Sequence, residues 1–163
     1  CFIGERRFRE FLQRYLPVKP GPIIDMQGRV LGEHQGLAYY TLGQRQGLGI
    51  GGVRGQAEAP WYVQRKVMDT NTLVVTQCTS DLDSTCLVAS DPNWLFPPPA
   101  MPFACQARVR YRQADQPATV VAAPDGRIEV RFHAPQRAVT PGQYVALYRG
   151  DVCLGGALIE TNR

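Results

Sequence analysis

The residue best suited to covalent chemistry in this chain is Cys1, one of five cysteines. It precedes a segment, Glu5 to Leu16, whose apolar residues recur with the spacing of one helical face. A helix N-terminus and nearby guanidinium groups, here those of Arg6 and Arg7, both favour the nucleophilic thiolate form of a cysteine. The pattern therefore predicts a reactive thiol at Cys1, and a thiol without any role is the alternative.

The remaining cysteines are irregularly spaced. They are Cys78, Cys86, Cys105 and Cys153. An odd total at such spacing is a poor disulfide framework and indicates a reducing compartment. Because there is no Cys-x-x-Cys pair and the two histidines, His34 and His133, lie far apart in sequence, we expect no metal site.

Arginines alternate with apolar residues in the stretch Arg108-Val109-Arg110-Tyr111-Arg112-Gln113. On a regular strand the three arginines would share an exposed face, while Val109 and Tyr111 would point inward. A row of arginines beside an aromatic ring suits RNA, which proteins bind through phosphates and base stacking. The stretch therefore predicts an RNA contact, with a solvated strand face as the alternative.

A glycine-rich segment, GEHQGLAYYTLGQRQGLGIGG, runs from Gly32 to Gly52. Glycines let a backbone approach a ligand closely, and successive N–H groups can bind phosphate oxygens. The spacing Gly47-x-Gly49-x-Gly51 does not make a dinucleotide fingerprint, because no strand–turn–helix unit surrounds it. The segment favours contact with a large anionic partner, and a purely structural loop is the alternative.

Composition limits the class of protein. The 163 residues are 44% hydrophobic and 20% charged, which is typical of a globular protein and too apolar for a disordered one. No apolar run approaches the roughly 20 residues that span a bilayer, and we expect a cytoplasmic protein without membrane contact. The net charge of +4 permits an anionic partner without requiring one.

The elements that must position these residues are short strands. Two hairpins are predicted, Ile23–Ile24 with Val30–Leu31 and Trp61–Met68 with Leu73–Thr76. After a predicted loop at Asp91–Pro102, strand-like runs occur at Cys105–Tyr111, Ala118–Ala122, Ile128–Phe132, Tyr144–Tyr148 and Val152–Ile159. Short strands separated by turns rich in Pro, Asp and Gly indicate an antiparallel barrel or sandwich. We expect a mainly β protein, with a helix-plus-hairpins domain at residues 1–75 and an antiparallel β-barrel at 76–163.

Six stretches occur here in the order they take in bacterial tRNA-specific 2-thiouridylases. They are CFIGERRFREFL, GEHQGLAYYTLGQRQGLGIGG, PWYV, RYRQ, TPGQ and CLGG. Over essentially its whole length the chain resembles the C-terminal part of such an enzyme, a central domain followed by a β-barrel. The ATP pyrophosphatase domain that begins these enzymes is absent from the 163 residues.

The resemblance implies a chemistry for Cys1. In the family, the cysteine of Cys-Phe-Ile-Gly carries sulfur as a persulfide and delivers it to C2 of the wobble uridine of tRNA. The 2-oxygen is first adenylated with ATP and Mg²⁺, which the N-terminal domain would bind, and a second cysteine in that domain resolves the persulfide. The implied partners are tRNA and a sulfur-donor protein, and we expect the chain alone to be inactive.

The resemblance also implies that tRNA contacts Arg110 and Tyr111 of RYRQ and Gln143 of TPGQ. A regular strand would aim Arg110 and Tyr111 at opposite faces, so the strand must end, twist or bulge there if both contact RNA. The chain departs from the family at Gln46, where lysine is frequent after Gln-Arg, and the resemblance therefore implies one phosphate contact fewer at this position. The alternative function is a free-standing RNA-binding barrel in which Cys1 has no catalytic role.

Overall fold

The computed structural model describes Tyr15 and residues 19–51, 59–111 and 113–163. The chain divides into two compact units, Cys1–Asp81 and Leu82–Arg163. Cys1 lies outside the described residues. So does the helix predicted at residues 5–16, with the exception of Tyr15. Within the described ranges no helix has the length and apolar character needed to cross a membrane.

The first unit contains a four-stranded sheet. Its strands are β1 (Gly21–Ile24), β2 (Val30–His34), β3 (Tyr62–Val67) and β4 (Thr72–Thr76). Their order is β2-β1-β4-β3. β1 with β2 and β3 with β4 form antiparallel pairs, which confirms both predicted hairpins, while β1 lies parallel to β4.

Asp25 closes the turn between β1 and β2. Its side chain is 2% exposed, and Oδ1 accepts hydrogen bonds from the backbone N–H groups of Gln27 and Arg29, both at 2.9 Å. Oδ2 accepts a third from Arg29 Nε at 2.6 Å. Burial disfavours the carboxylate, but these donors outweigh it and hold the pKa of Asp25 below its usual range. The first hairpin therefore depends on a charged aspartate.

The second unit is a closed barrel. Its strands are β5 (Asp83–Trp94), β6 (Phe103–Arg108), β7 (Gln116–Ala122), β8 (Ile128–Arg137), β9 (Tyr144–Arg149) and β10 (Val152–Asn162). The order around the barrel is β10-β5-β8-β7-β6-β9, and every neighbouring pair is antiparallel. The prediction of a mainly β protein with an antiparallel barrel is confirmed.

Alternation along the barrel strands separates the core from the outer surface. Val145 and Leu147 of β9, like Ala118 and Val120 of β7, are fully buried and belong to one apolar cluster. Because side chains on a strand point alternately to its two faces, their neighbours along β9 and β7 face outward. The closed barrel thus supports a set of outward-facing side chains along β7 and β9.

One predicted loop was partly wrong, since residues 91–94 belong to β5. Trp94 and Asn93 pair with Gly155 and Gly156 of β10. The register shifts next to this pairing and Asp91 has a φ of 49°, so Asp91 and Pro92 form a bulge, where proline is tolerated. The sequence Asp-Pro-Asn is typical of a turn, so the local pattern favours a loop where the chain continues as a strand.

Candidate nucleic-acid interface

The strand that carries the arginine-rich stretch ends at Arg108, where β6 pairs with Ala146 of β9. The chain then turns, with Gln113 N–H donating to the Arg110 carbonyl at 3.2 Å. Val109 is buried as predicted, but Tyr111 is 91% exposed, so its predicted inward orientation was wrong. Because the strand ends before the pair, Arg110 and Tyr111 both lie at the surface.

A second loop meets this turn. Thr140 to Gln143 form a type II turn, with Gln143 N–H donating to the Thr140 carbonyl at 3.2 Å and Gly142 at a φ of +85°. Pro141 and Gly142 are the residues that this turn type favours at its centre. Arg110 Nη2 donates to the carbonyl of Ala138 at 3.0 Å, which links the two loops.

Glutamines fix the Arg110 turn to β8. Gln113 accepts a hydrogen bond from Val109 N–H at 2.9 Å and donates to Gln136 Oε1, also at 2.9 Å. Gln136 is 6% exposed and donates in turn to Gln116 Oε1 at 3.0 Å. A buried amide with satisfied partners has one favoured orientation. The turn that presents Arg110 is therefore held by the barrel wall.

The two loops and the outer face of β9 form an open groove of about 770 Å³. Its lining residues are Arg108, Val109, Arg110, Tyr111, Gln143, Tyr144, Ala146 and Tyr148. The structure thus brings together the three residues predicted to contact tRNA, Arg110, Tyr111 and Gln143, which come from two separate loops. The volume is within the range of small-molecule sites, large enough to receive a flat aromatic group.

Two tyrosines of this groove, Tyr144 and Tyr148, were missed by the sequence analysis. They alternate along β9 with buried Val145 and Leu147, so both point out of the barrel. The signal was present as a period of two in the run Tyr144–Tyr148. The same period predicts the strand and places both tyrosines on one of its faces.

Arg108 of the groove makes an ion pair and a ring contact. Its Nε donates to Asp115 Oδ1, and its guanidinium lies over the Tyr148 ring, 4.7 Å from the centroid. The hydrogen bond to Asp115 raises the pKa of Arg108, and the same bond lowers the pKa of Asp115. The carboxylate therefore cancels much of the positive charge that Arg108 brings to the groove.

Comparison with known proteins shows which families and relatives the chain is similar to. A model described as the aminomethyltransferase beta-barrel domain matches residues 84–159, and one described as the tRNA methyl transferase PRC-barrel domain matches residues 9–77. The tRNA-specific 2-thiouridylase MnmA of Alcanivorax borkumensis is 55% identical over 98% of this chain. Those of Yersinia pestis and Yersinia pseudotuberculosis are each 52% identical over the same share. Over nearly its whole length the chain is similar to the tRNA-specific 2-thiouridylases.

The match to the 2-thiouridylases confirms the resemblance inferred from the sequence motifs, and the matched region is their C-terminal part. The chain spans 45% of the length of the Alcanivorax relative and 44% of the length of the two Yersinia relatives. Both the arginine-rich turn and the groove lie inside the segment that matches the beta-barrel domain.

The cysteines that the structure describes differ in exposure. Cys78 is exposed, with its Sγ 3.0 Å from Ser80 Oγ, whereas Cys105 lies in the barrel core. Burial raises the pKa of the Cys105 thiol to about 11, so this thiol is neutral at pH 7. Among the described residues no group of three or more His, Cys, Asp or Glu side chains could hold a metal ion.

In the glycine-rich segment, the structure buries three of the side chains with functional groups. His34, Tyr39 and Tyr40 are each at most 9% exposed. Gly36 N–H donates to His34 Nδ1 at 3.0 Å, so the ring proton is on Nε2, which donates to the Asn71 carbonyl at 2.9 Å. These side chains support the first unit, and contact of the segment with a large anion stays a prediction.

Proposed function

We propose that this chain is the C-terminal, tRNA-engaging part of an enzyme that replaces the 2-oxygen of the wobble uridine in tRNA with sulfur. The observation that carries the proposal is the identity of 52–55% with tRNA-specific 2-thiouridylases over 98% of the chain. Such identity extends over both units, so the proposal covers the sulfur-carrying end of the chain as well as the barrel.

Cys1 carries the sulfur in this proposal. The terminal sulfur of a Cys1 persulfide bonds to C2 of a uridine whose 2-oxygen has been adenylated, and that oxygen leaves with AMP. A thiolate outside this chain then attacks Cys1 Sγ, so that a disulfide forms and the new sulfur stays on the uridine. An external thiol reduces the disulfide and is itself oxidised to a disulfide. A sulfur-donor protein that carries a persulfide then transfers its outer sulfur to the Cys1 thiolate, and the donor keeps a thiol. ATP and Mg²⁺ bind to a part of the enzyme outside this chain.

The barrel groove holds the tRNA. Arg110 meets a phosphate, Tyr111 stacks on a base, and Gln143 donates or accepts a hydrogen bond. Support comes from the convergence of the three side chains on one groove and from the hydrogen bond of Arg110 to Ala138, which pre-orients the guanidinium. A side chain that is already positioned loses less conformational entropy when it binds.

The test is an assay of the complete enzyme with tRNA, ATP, Mg²⁺ and a sulfur donor, in which nucleosides are analysed by mass spectrometry. The expected product is 2-thiouridine at the wobble position. Binding of tRNA without any 2-thiouridine would contradict the proposal and favour a free-standing RNA-binding module.

A further inference from the structure

We propose that the groove receives an unpaired RNA nucleotide whose base lies over Ala146 and stacks on the ring of Tyr144. The inference deepens the proposed function, on which it rests, by stating which kind of RNA structure the barrel recognises. Tyr144 belongs to none of the motifs that predicted RNA contact, and its assignment comes from its place on β9 and its exposure.

The register of β9 builds a platform for a flat ring. Tyr144, Ala146 and Tyr148 line the groove from one face of the strand, and the residues between them are fully buried. Residues four apart on a strand are about 13 Å apart, so the two tyrosines stand on either side of a small alanine. Arg108, opposite Ala146 on β6, completes the platform.

The two outer tyrosines differ in what covers them. The guanidinium of Arg108 already lies over Tyr148. Tyr144 is 68% exposed, and Tyr111 on the neighbouring turn is 91% exposed. Aromatic rings this accessible on a soluble barrel can gain stacking energy from a base, about 1–3 kcal/mol per base in other proteins.

The lining favours an anionic partner such as RNA over a cationic one. The described residues that line the groove include the two arginines Arg108 and Arg110 and no carboxylate. Arginine next to tyrosine binds phosphate and base together, which is how proteins hold single-stranded nucleic acid. A base inside an A-form helix has both faces covered by its neighbours, whereas bases in loops and bulges can be splayed onto side chains. The occupant is therefore an unpaired nucleotide.

The experiment measures the affinity of the complete enzyme for two RNA probes by fluorescence anisotropy. One probe is a hairpin with an unpaired loop, and the other is a blunt duplex with the sequence of its stem. Tyr144→Ala should weaken hairpin binding about tenfold. It should leave duplex binding within about twofold of the wild type, because only the hairpin loop offers an unpaired base. The salt dependence should stay unchanged, since no charge is removed.

Conservative and control variants separate stacking from other roles. Tyr144→Phe should bind the hairpin like the wild type, because stacking needs the ring and not the hydroxyl. Phe96→Ala removes an aromatic side chain of similar exposure, 58%, outside the groove lining and should have no effect. Ala146→Leu fills the space over β9 and should weaken hairpin binding as Tyr144→Ala does. Ala104→Leu adds the same side chain on the outer face of β6 and should leave hairpin binding unchanged.

Unchanged hairpin affinity in both Tyr144→Ala and Ala146→Leu would overturn the inference, and so would an equal loss for the duplex. If Arg110→Ala weakens tRNA binding while these two variants do not, the inference fails and the proposed tRNA surface stands. If none of the three variants changes tRNA binding in an enzyme that makes 2-thiouridine, the proposed surface fails as well. Thermal melts of each variant show whether the barrel is intact.

Discussion

At the scale of the residue, the environment of each thiol decides whether it can carry sulfur. The buried thiol of Cys105, with a pKa of about 11, is neutral at pH 7 and closed to a sulfur donor. Cys78 is exposed but stands in a turn far along the chain from the basic segment that follows Cys1. Cys1 is the candidate nucleophile on the grounds of its sequence setting and of the Cys-Phe-Ile-Gly motif that it shares with the 2-thiouridylases.

Cys1→Ser in the complete enzyme should abolish formation of 2-thiouridine, because a serine oxygen cannot carry a terminal persulfide sulfur. The affinity for tRNA should stay within about twofold, since one atom changes. Mass spectrometry of tRNA nucleosides and a tRNA titration measure the two quantities. The matched control is Cys78→Ser, and the assignment would be wrong if Cys78→Ser lost activity while Cys1→Ser kept it.

Asp115→Asn should raise the affinity for tRNA, whereas the loss of a groove arginine should lower it. The change removes the carboxylate that neutralises Arg108, so a full positive charge becomes available to an RNA phosphate. The affinity for tRNA should rise about two- to fivefold at moderate salt, and the salt dependence should steepen by up to about 0.9 in the slope of log K against log salt. Weaker binding would show instead that Asp115 is needed to orient Arg108.

At the scale of the element, turn chemistry decides where strands begin and end. Both hairpins of the first unit were predictable, because Asp-x-x-Gly and Asp-Thr-Asn separate runs of apolar residues. The same reasoning failed at Asp91–Pro92, where a bulge lets turn-type residues stay within β5. It also failed at Tyr111, since nothing in the local alternation shows that β6 ends at Arg108.

The groove was predictable in part. The family motifs identified Arg110, Tyr111 and Gln143, and the structure brings them together. The long-range contacts that do so were not predictable. The bond from Arg110 to Ala138 joins residues 28 apart, and the bond from Gln113 to Gln136 joins residues 23 apart. Such pairs depend on the barrel closing, which no local pattern specifies.

Asp25→Asn tests the first hairpin through its dependence on pH. The folded-state pKa of Asp25 lies below the unfolded value, about 3.9, so its charge stabilises the fold fully above that value. This stabilisation is lost as the pH falls through the folded-state pKa. The variant keeps the amide oxygen but not the charge, and it should lower the free energy of unfolding by about 1–2 kcal/mol at pH 7.

The difference between wild type and Asp25→Asn should shrink toward zero in acid, where both side chains are neutral. Denaturant unfolding at neutral and acidic pH measures it. The matched control is Asp69→Asn in the turn of the second hairpin, whose side chain is exposed. A difference that stayed constant with pH would show that the carboxylate charge does not stabilise the turn.

At the scale of the whole molecule, the two units contribute different parts of one reaction in the proposed function. The chain spans 45% or less of its curated relatives, and its sequence contains no Ser-Gly-Gly-x-Asp-Ser loop of the kind that grips ATP phosphates. In the proposed function the barrel binds tRNA and Cys1 supplies the sulfur, so groove variants should change tRNA affinity and Cys1 variants should change sulfur transfer.

The 163-residue chain alone should form no 2-thiouridine, even with ATP, Mg²⁺ and a sulfur donor, because the uridine 2-oxygen is not activated. The complete enzyme under the same conditions is the positive control. The measurement is mass spectrometry of tRNA nucleosides after incubation. Any 2-thiouridine made by the isolated chain would contradict the proposal that a part of the enzyme outside this chain activates the uridine.

The central claim, that the barrel groove binds tRNA, is tested most directly by titrating tRNA against the complete enzyme carrying Arg110→Ala at several salt concentrations. Loss of one phosphate contact should cost about 1–3 kcal/mol and reduce the salt slope of log K by about 0.7–0.9. Arg131→Ala is the matched control, because Arg131 is a 61% exposed arginine paired with Glu129 outside the groove lining. Arg131→Ala should leave the tRNA affinity and the salt slope nearly unchanged. Equal affinity and equal slope for wild type and Arg110→Ala would contradict the claim that the groove binds tRNA.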